Sequence, residues 1–427
     1  MSRLDERRRV EWKHQVESLS NELCLWEQQA MAGRPLEKHH SQVRSIVTML
    51  QSFAKEAGVQ MQDATCSIDD RQDIILDLHH AWDFFRSKLT LRFVEWTRDF
   101  LTVADEFAWA CYRPAVEVGS DRVDHAIAIE PPLVFLNRSR TPFAQLRGSE
   151  FLQFGMSSEE GRRWQREIPF PMIGIPWYTT RHVPDLLYVA HEVGHHIEDR
   201  FDLGDALIER IASAGVSAEW LDWSGEVFAD IYGCVSVGEA YAVTLFDAIL
   251  NAGMGVGTGK YPPAPLRARV CLAAVERIRG RAVASEVASH WPEPWPAAAT
   301  SCEVEKVVDA LLAGPYEALN GHTLYGRLGL GSQAFENIHD AGTLLLRGIT
   351  PSFLQDVRAI IAAAVLAFHR DPNKFDEQGA GDKALCKVRS LVRHGVRAGA
   401  NAAEQEQAQT VGRALFHAVA EQRSGRG

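Results

Sequence analysis

The stretch LLYVAHEVGHHIEDRF, residues 186–201, places three histidines and three acidic residues in one predicted helix. His191 and His195 are four residues apart, so on a helix their side chains leave the same face one turn apart. Two imidazoles in this position can bind one zinc ion at about 2.0–2.1 Å each. Glu192 would lie beside the metal without binding it. This is the HExxH pattern, in which the glutamate takes a proton from metal-bound water.

The residues around this motif also favour a helix. Pro184 suits a first helical position and Asp185 suits the positive N-terminal end. His196 points about 100° away from His195, so we expect it to pack against the protein or to orient another group. Gly194 costs about 1 kcal/mol relative to alanine inside a helix. Its presence predicts that another backbone segment, the helix predicted at residues 223–233, passes close to the motif.

A third metal ligand is predicted downstream. The pattern HExxHxxGxxH is not met, because positions 198 and 201 are Glu and Phe. In WSGEVFADIYG, residues 223–233, Glu226 and Asp230 are four apart and share one helix face. One carboxylate can complete a His₂Glu zinc site with a fourth position left for water, and the other can accept the free N–H of a ligating imidazole. Acidic pairs also occur on solvated helix faces, but the apolar neighbours favour burial beside a cation.

The motifs HEVGH and GEVFAD together resemble those of the gluzincin zinc metallopeptidases, the thermolysin-type clan, over roughly residues 125–275. The resemblance implies three zinc ligands: His191, His195 and Glu226. It also implies that Glu192 is the general base and that Asp230 orients His191.

The resemblance further implies a role for the strand FPMIGIPWY, residues 170–178, as the sheet edge with which an extended substrate pairs. An exposed edge offers unpaired N–H and C=O groups that recognise a peptide backbone regardless of its sequence. The same residues are equally typical of an ordinary core strand.

Peptidases of this type usually carry a tyrosine or histidine that stabilises the oxyanion formed on the substrate carbonyl. KYPPAPLRARV, residues 260–270, resembles a segment that follows the glutamate helix in some bacterial relatives, where a histidine often precedes the prolines. Tyr261 stands at that position here. The candidate donors are therefore Tyr261 and, in GHTLYGR, His322 and Tyr325. Arg267 could hold a substrate carboxylate or form a structural ion pair, and the second is favoured.

Composition limits the classes of function. The chain has 427 residues, 46% of them hydrophobic, and a net charge of −11, which argues against a dedicated nucleic-acid binder or a membrane-surface protein. No apolar run approaches the roughly 20 residues of a membrane span, and the charged N-terminus lacks the apolar core of a signal peptide. Seven scattered cysteines without a CxxC pair suit free thiols in a reducing compartment. We therefore expect a cytoplasmic protein.

The predicted fold is mainly α with a small β-sheet (α+β). A zincin-like core at residues 119–334 is flanked by helical regions at 1–118 and 335–427. Short apolar runs predict three strands: HAIAI (125–129), PLVFL (132–136) and PMIGIP (171–176).

Several breaks divide the predicted helices. GRP at 33–35 predicts the turn of a helical hairpin, with the next helix starting at the proline, and Arg113-Pro114 predicts a helix end. Residues 286–334 are predicted to be rich in loops, and DEQGAGD (376–382) to separate two helices.

These features favour a zinc-dependent endopeptidase that acts on proteins or peptides. Two alternatives remain: a zinc hydrolase of a non-peptide amide, and an inactive interaction protein that keeps the zinc fold. The intact Glu192 argues against the inactive protein, since a scaffold needs the ligands but not the base. The N-terminal hairpin either binds a regulatory partner or a second copy of the chain, or packs against the catalytic domain. The basic run at 387–397 favours a solvated helix face over a nucleic-acid surface.

Overall fold

The computed structural model describes residues 3–60, 67–118, 130–146, 170–252, 259, 261–291, 301–392, 409–410 and 412–413. The N-terminal part forms long helices: α1 (Arg3–Gln29), α2 (His40–Gln60), α3 (Ile68–Thr90) and α4 (Glu95–Val118). A turn joins α1 to α2, as the GRP sequence predicts. Gly33 has a φ of +77°, which glycine adopts without steric cost, and its N–H donates to Glu37 Oε2 at 2.7 Å. The turn is longer than predicted, because α2 begins at His40 and not at Pro35.

The helix end predicted at Arg113-Pro114 is wrong. Helix α4 continues through Pro114 to Val118. A proline inside a helix costs about 3 kcal/mol, because it removes one backbone hydrogen bond and crowds the preceding turn. Ala115 and Val116, which follow it, are buried in the core, and this packing outweighs the local cost.

The sheet has three strands: β1 (Leu133–Asn137), β2 (Phe143–Gln145) and β3 (Met172–Pro176). Their order is β1-β3-β2, with β3 parallel to β1 and antiparallel to β2. The prediction that β3 forms the substrate-binding edge is therefore wrong. All five of its residues are buried and it is paired on both sides, so its apolar sequence reflects a core strand. The strand beside the site is β2, which has half-buried residues and pairs only with β3 among the described strands.

The sheet separates two hydrophobic clusters. Alternate side chains of β1 and β3, such as Leu133, Phe135 and Met172, join the cluster of helices α1–α3. The residues between them, Val134 and Ile173, join a larger cluster on the other face. This larger cluster also contains α4 and most of the later helices. The small sheet thus connects the N-terminal helices to the part of the chain that carries the HExxH motif.

The later helices are α5 (Tyr188–Arg200), α6 (Gly204–Ser213), α7 (Glu219–Asp222), α8 (Ser224–Val237), α9 (Glu239–Ala252), α10 (Ala264–Arg279), α11 (Arg281–Ser289), α12 (Ser301–Ala313), α13 (Leu324–Leu328), α14 (Ser332–Leu345), α15 (Val357–Arg370), α16 (Pro372–Glu377) and α17 (Ala380–Leu391). The predicted fold class, mainly helical with a small sheet, is confirmed. The predicted domain boundaries at 118 and 334 remain predictions. Helices α4, α15 and α17 share one hydrophobic cluster with α5 and α8.

Other predictions of local structure had mixed outcomes. The stretch 286–334, predicted to be rich in loops because of its prolines, contains helix α12. The buried residues of α12 recur at helical spacing: Val304, Val307, Val308 and Leu311. The break near DEQGAGD is confirmed, with Gly379 at a φ of +57° between α16 and α17. The strand predicted at 125–129 lies outside the described residues. Among the helices that the structure describes, none has both the length and the apolar character needed to cross a membrane.

The N-terminal hairpin buries part of its apolar positions within the chain, while Leu4, Val10 and Leu25 of α1 are exposed. Trp12, Leu19 and Leu23 of α1 belong to the same cluster as residues of α2 and α3. A regulatory partner or a dimer at this hairpin remains a prediction. The basic run is described only to residue 392, and in that part Arg389 pairs with Asp99 of α4.

Candidate metal centre

The HExxH motif lies on α5, as predicted. A 3₁₀ turn at Val183–Leu187, with Pro184 at its start, leads directly into α5. Helix α8 passes close to α5, and Gly194 permits this approach. A Cβ atom at position 194 would lie 2.8 Å from Ala229 Cα and 3.1 Å from Tyr232 Cβ. The predicted close passage of the Glu226 helix at Gly194 is therefore observed, and it brings the two motifs together.

The three predicted ligands converge. One ligand atom from each of His191, His195 and Glu226 lies within 4.8 Å of the others. His191 Nε2 is 3.4 Å from Glu226 Oε2, and His195 Nε2 is 3.5 Å from Glu226 Oε1. Ligands of a tetrahedral zinc ion with bonds of about 2.0–2.1 Å are separated by roughly 3.3–3.4 Å. The observed separations therefore fit a zinc-sized cation among the three side chains.

The chemistry of these donors also fits a cation. Glu226 Oε2 is buried and accepts no hydrogen bond from the described residues, although a buried carboxylate oxygen without a partner is costly. Burial raises the pKa of Glu226, but His191 and His195 outweigh it and lower that pKa to about 2. Burial lowers the pKa of His195, but the carboxylates of Glu198 and Glu226 raise it to about 10. Without metal, therefore, a proton on His195 supplies positive charge that a bound cation would replace.

Asp230 orients His191 from within the core. Its side chain is completely buried, and its Oδ1 lies 2.9 Å from His191 Nδ1. Arg267 donates to it through Nε and Nη2, both at 2.7 Å. Burial opposes ionisation, but Arg267 and His191 hold the pKa of Asp230 well below its usual range. This carboxylate fixes the proton of His191 on Nδ1 and directs Nε2 toward Glu226. The ion-pair alternative for Arg267 is thus the one observed.

Tyr241 also belongs to this network, although no sequence motif predicts it. Its hydroxyl donates to Asp230 Oδ1 at 2.7 Å and lies 3.1 Å from His191 Nδ1. Two glycines place it there. Gly238, at a φ of +67°, turns the chain between α8 and α9, and Gly233 leaves room for the ring, since a Cβ there would lie 2.8 Å from ring atoms. The two closely spaced glycines before this tyrosine are the one sequence feature that could indicate its position in the network.

Glu192 faces a cavity of about 590 Å³ that also contains the three ligands. It is 7% exposed. Burial raises the pKa of its carboxyl group, while His191 and His195 oppose this shift. The backbone N–H of Ala144 in β2 approaches the same carboxylate and lowers its pKa. Residues 141–144 and Leu146, in and around β2, form one wall of the cavity, and Tyr188, Tyr241 and Leu245 form part of another. Glu192 therefore lies between the ligands and a strand edge.

Only one of the three predicted oxyanion donors reaches this cavity. Tyr261 lines it with a half-exposed side chain, and the carboxylates of Glu226 and Glu192 raise its pKa. His322 and Tyr325 do not line it. The His322 backbone pairs with Tyr316, and the Tyr325 hydroxyl donates to the Ile278 carbonyl at 3.3 Å.

His196 has the packing role expected of it. It is buried, and its Nε2 lies 3.0 Å from the Met172 carbonyl oxygen of β3. It therefore ties α5 to the central strand.

A cavity larger than the one that Glu192 faces lies elsewhere. It measures about 850 Å³ and lies between α6 and residues 310–318. Arg210, its prominent cation, donates to the carbonyl oxygens of Ala310 and Pro315 and stacks on Tyr316. Within the described residues, the His191–His195–Glu226 group is the one cluster of three side chains suited to a metal, so the smaller cavity is the candidate functional site.

The chain matches no protein-family model, and neither the curated proteins nor the solved structures compared with it include a match. Function must therefore be inferred from the geometry and chemistry of the site.

Proposed function

We propose that the protein is a zinc-dependent endopeptidase of the gluzincin type. The observation that carries this proposal is the convergence of His191, His195 and Glu226, with Glu192 beside them, in a cavity bounded by a strand edge. Two imidazoles and one carboxylate are the ligand set of several catalytic zinc sites, which keep a fourth position for water or substrate. An inactive scaffold would not require Glu192 at this position.

When bound, zinc would polarise a carbonyl group and lower the pKa of its water to about 7. Glu192 is placed to take the proton from that water and to return it to the leaving amine. Burial raises the pKa of the Glu192 carboxyl group, which favours its acceptance of a proton from that water.

The edge of β2 favours a peptide over a small amide as substrate. Along a strand, the N–H and C=O of one residue point to the same side. Because the Ala144 N–H points toward Glu192, the Ala144 carbonyl also faces the site and can accept a hydrogen bond from an extended chain. Tyr261, half exposed in the same cavity, is the candidate donor to the oxyanion.

The substitution Glu192→Gln tests the proposal. This variant should keep its zinc and lose at least about 100-fold in kcat, because it removes the general base but no metal ligand. Activity is measured by mass spectrometry on a digested peptide library, with and without a chelator, and zinc by elemental analysis. Glu209→Gln on the exposed face of α6 is the matched control and should cleave normally. Normal cleavage by zinc-loaded Glu192→Gln, or no cleavage by zinc-loaded wild type, would contradict the proposal.

A further inference from the structure

We infer that Glu198 is a positioning residue for His195, in the way that Asp230 is for His191. The inference depends on the proposed metal centre and assigns to it a second orienting carboxylate. In the sequence, Glu198 stands where the pattern HExxHxxGxxH would have a glycine. Glu198 is three residues after His195 on α5, so both side chains lie on the same helix face.

The geometry of the His195 ring requires a partner on one nitrogen. Its Nε2 is 3.5 Å from Glu226 Oε1, on the side where the metal would bind. Its Nδ1 must then carry the ring proton, since a neutral imidazole has one donor and one acceptor nitrogen. Glu198 Oε2 lies 3.7 Å from this Nδ1. That distance is an ion-pair contact that a small rotation of either side chain would shorten to a hydrogen bond.

The position of Glu198 is set by a second element, the first turn of α8. A Cβ atom at Gly225 would lie 3.0 Å from Glu198 Oε2 and 3.2 Å from Oε1. The absence of a side chain at 225 therefore lets the carboxylate lie against the start of the helix that supplies Glu226. The N-terminal turn of a helix carries partial positive charge and favours a carboxylate at this place. Glu198 thus touches both helices that form the metal centre.

The two orienting carboxylates differ in their surroundings. Asp230 is completely buried and held by Arg267 and Tyr241, whereas the Glu198 side chain is 23% exposed. A carboxylate closer to solvent interacts less strongly with its partner. Loss of Glu198 should therefore weaken the hold on His195 without disturbing the core.

Zinc affinity, measured by competition with a chelating dye, tests the inference without reference to catalysis. Glu198→Ala should bind zinc about 10- to 100-fold more weakly than wild type, as is typical when a carboxylate behind a ligating histidine is removed. Glu198→Gln keeps an acceptor and should lose less. Asp199→Asn, which changes an exposed carboxylate one position further on the same helix, is the control and should match wild type. The visible spectrum of the cobalt-substituted protein should shift in Glu198→Ala and not in the control.

Gly225→Ala supplies a second test, because its methyl group would push the Glu198 carboxylate away. It should weaken zinc binding in the wild-type background and have no further effect once Glu198 is alanine, which a double-mutant cycle measures. Wild-type zinc affinity in Glu198→Ala would overturn the inference and leave the proposed peptidase standing. If Glu198→Ala binds zinc more weakly but the zinc-loaded wild type cleaves no peptide, the inference is supported and the proposed function is contradicted. A wild-type chain that binds no zinc would overturn both.

Discussion

Two buried clusters in this protein use the same three residue types and lie in different surroundings. In one, Arg92 donates to both carboxylate oxygens of Asp105, and the His39 ring lies 3.2 Å from Asp105. In the other, Arg267 donates to both oxygens of Asp230, and His191 lies 2.9 Å away. Arginine, aspartate and histidine in contact are therefore not in themselves a sign of function.

The clusters differ in where their hydrogen bonds end. Around Asp105 the bonds close within the chain: the Val134 N–H donates to the carboxylate, and Arg92 donates to His39 Nε2. The other nitrogen of His39 faces Gln42, which donates in turn to the Pro131 carbonyl. Around Asp230 the chain of contacts continues through His191 to Glu226 Oε2, a buried acceptor that lies beside a cavity and has no hydrogen-bond partner among the described residues. A candidate site is therefore distinguished from a structural network by the Glu226 oxygen beside the cavity. The arginine, aspartate and histidine that both clusters share do not distinguish them.

The largest effect is expected from breaking the closed cluster. Asp105→Ala would leave the Arg92 charge buried without its carboxylate, which should lower the free energy of unfolding by about 3–5 kcal/mol. Asp83→Ala, which removes a half-exposed partner of Arg86, is the matched control and should cost at most about 1 kcal/mol. Both are measured by urea denaturation. Equal effects of the two substitutions would show that the Asp105 cluster has no special structural role.

A smaller, pH-dependent effect is expected at Lys88, four residues before Arg92 in the chain. Its ammonium group is buried, donates to the Phe84 carbonyl and lies 3.3 Å from the centre of the Phe84 ring. Burial lowers the pKa of Lys88 to about 7 from its ordinary value of 10.5. Between these values the unfolded chain binds more protons than the folded protein, so this group makes stability rise with pH from about 7 to about 10.5 and costs most below about 7.

Lys88→Met should therefore stabilise the protein at pH 7 by a few kcal/mol and remove this part of the pH dependence. The measurement is the difference in denaturation midpoint between the variant and wild type at pH 7 and pH 10. Lys374→Met, at an exposed position, should show no such difference. A Lys88→Met variant that is less stable than wild type at both pH values would mean that the ammonium contacts with Phe84 outweigh its desolvation.

The three candidate metal ligands could be predicted from sequence because most of the deciding information is local. On a helix, a spacing of four residues places His191 beside His195 and Glu226 beside Asp230. Gly194 added one long-range clue, since its missing side chain indicated that another helix passes close by. The fold class follows in the same way from helical periodicity and from the apolar runs that form β1 and β3, whereas β2 is not among the predicted strands.

What the sequence could not supply was pairing over long distances. The apolar sequence of β3 fits an edge strand as well as a central strand. The strand is central because β2 pairs with its second side. Tyr241 carries no motif, and its role depends on a turn at Gly238 that returns α9 to the metal centre. Pro114 indicated a helix end because the tertiary packing that offsets its cost is invisible in the local sequence.

The most direct test of the proposed metal centre is the zinc content of purified wild type beside Glu226→Ala, measured by elemental analysis after dialysis against metal-free buffer. Wild type should hold about one zinc ion per chain, and the variant, which lacks one of three protein ligands, should lose most of it. A wild-type protein without bound transition metal, or a Glu226→Ala variant that keeps the full amount, would contradict the account.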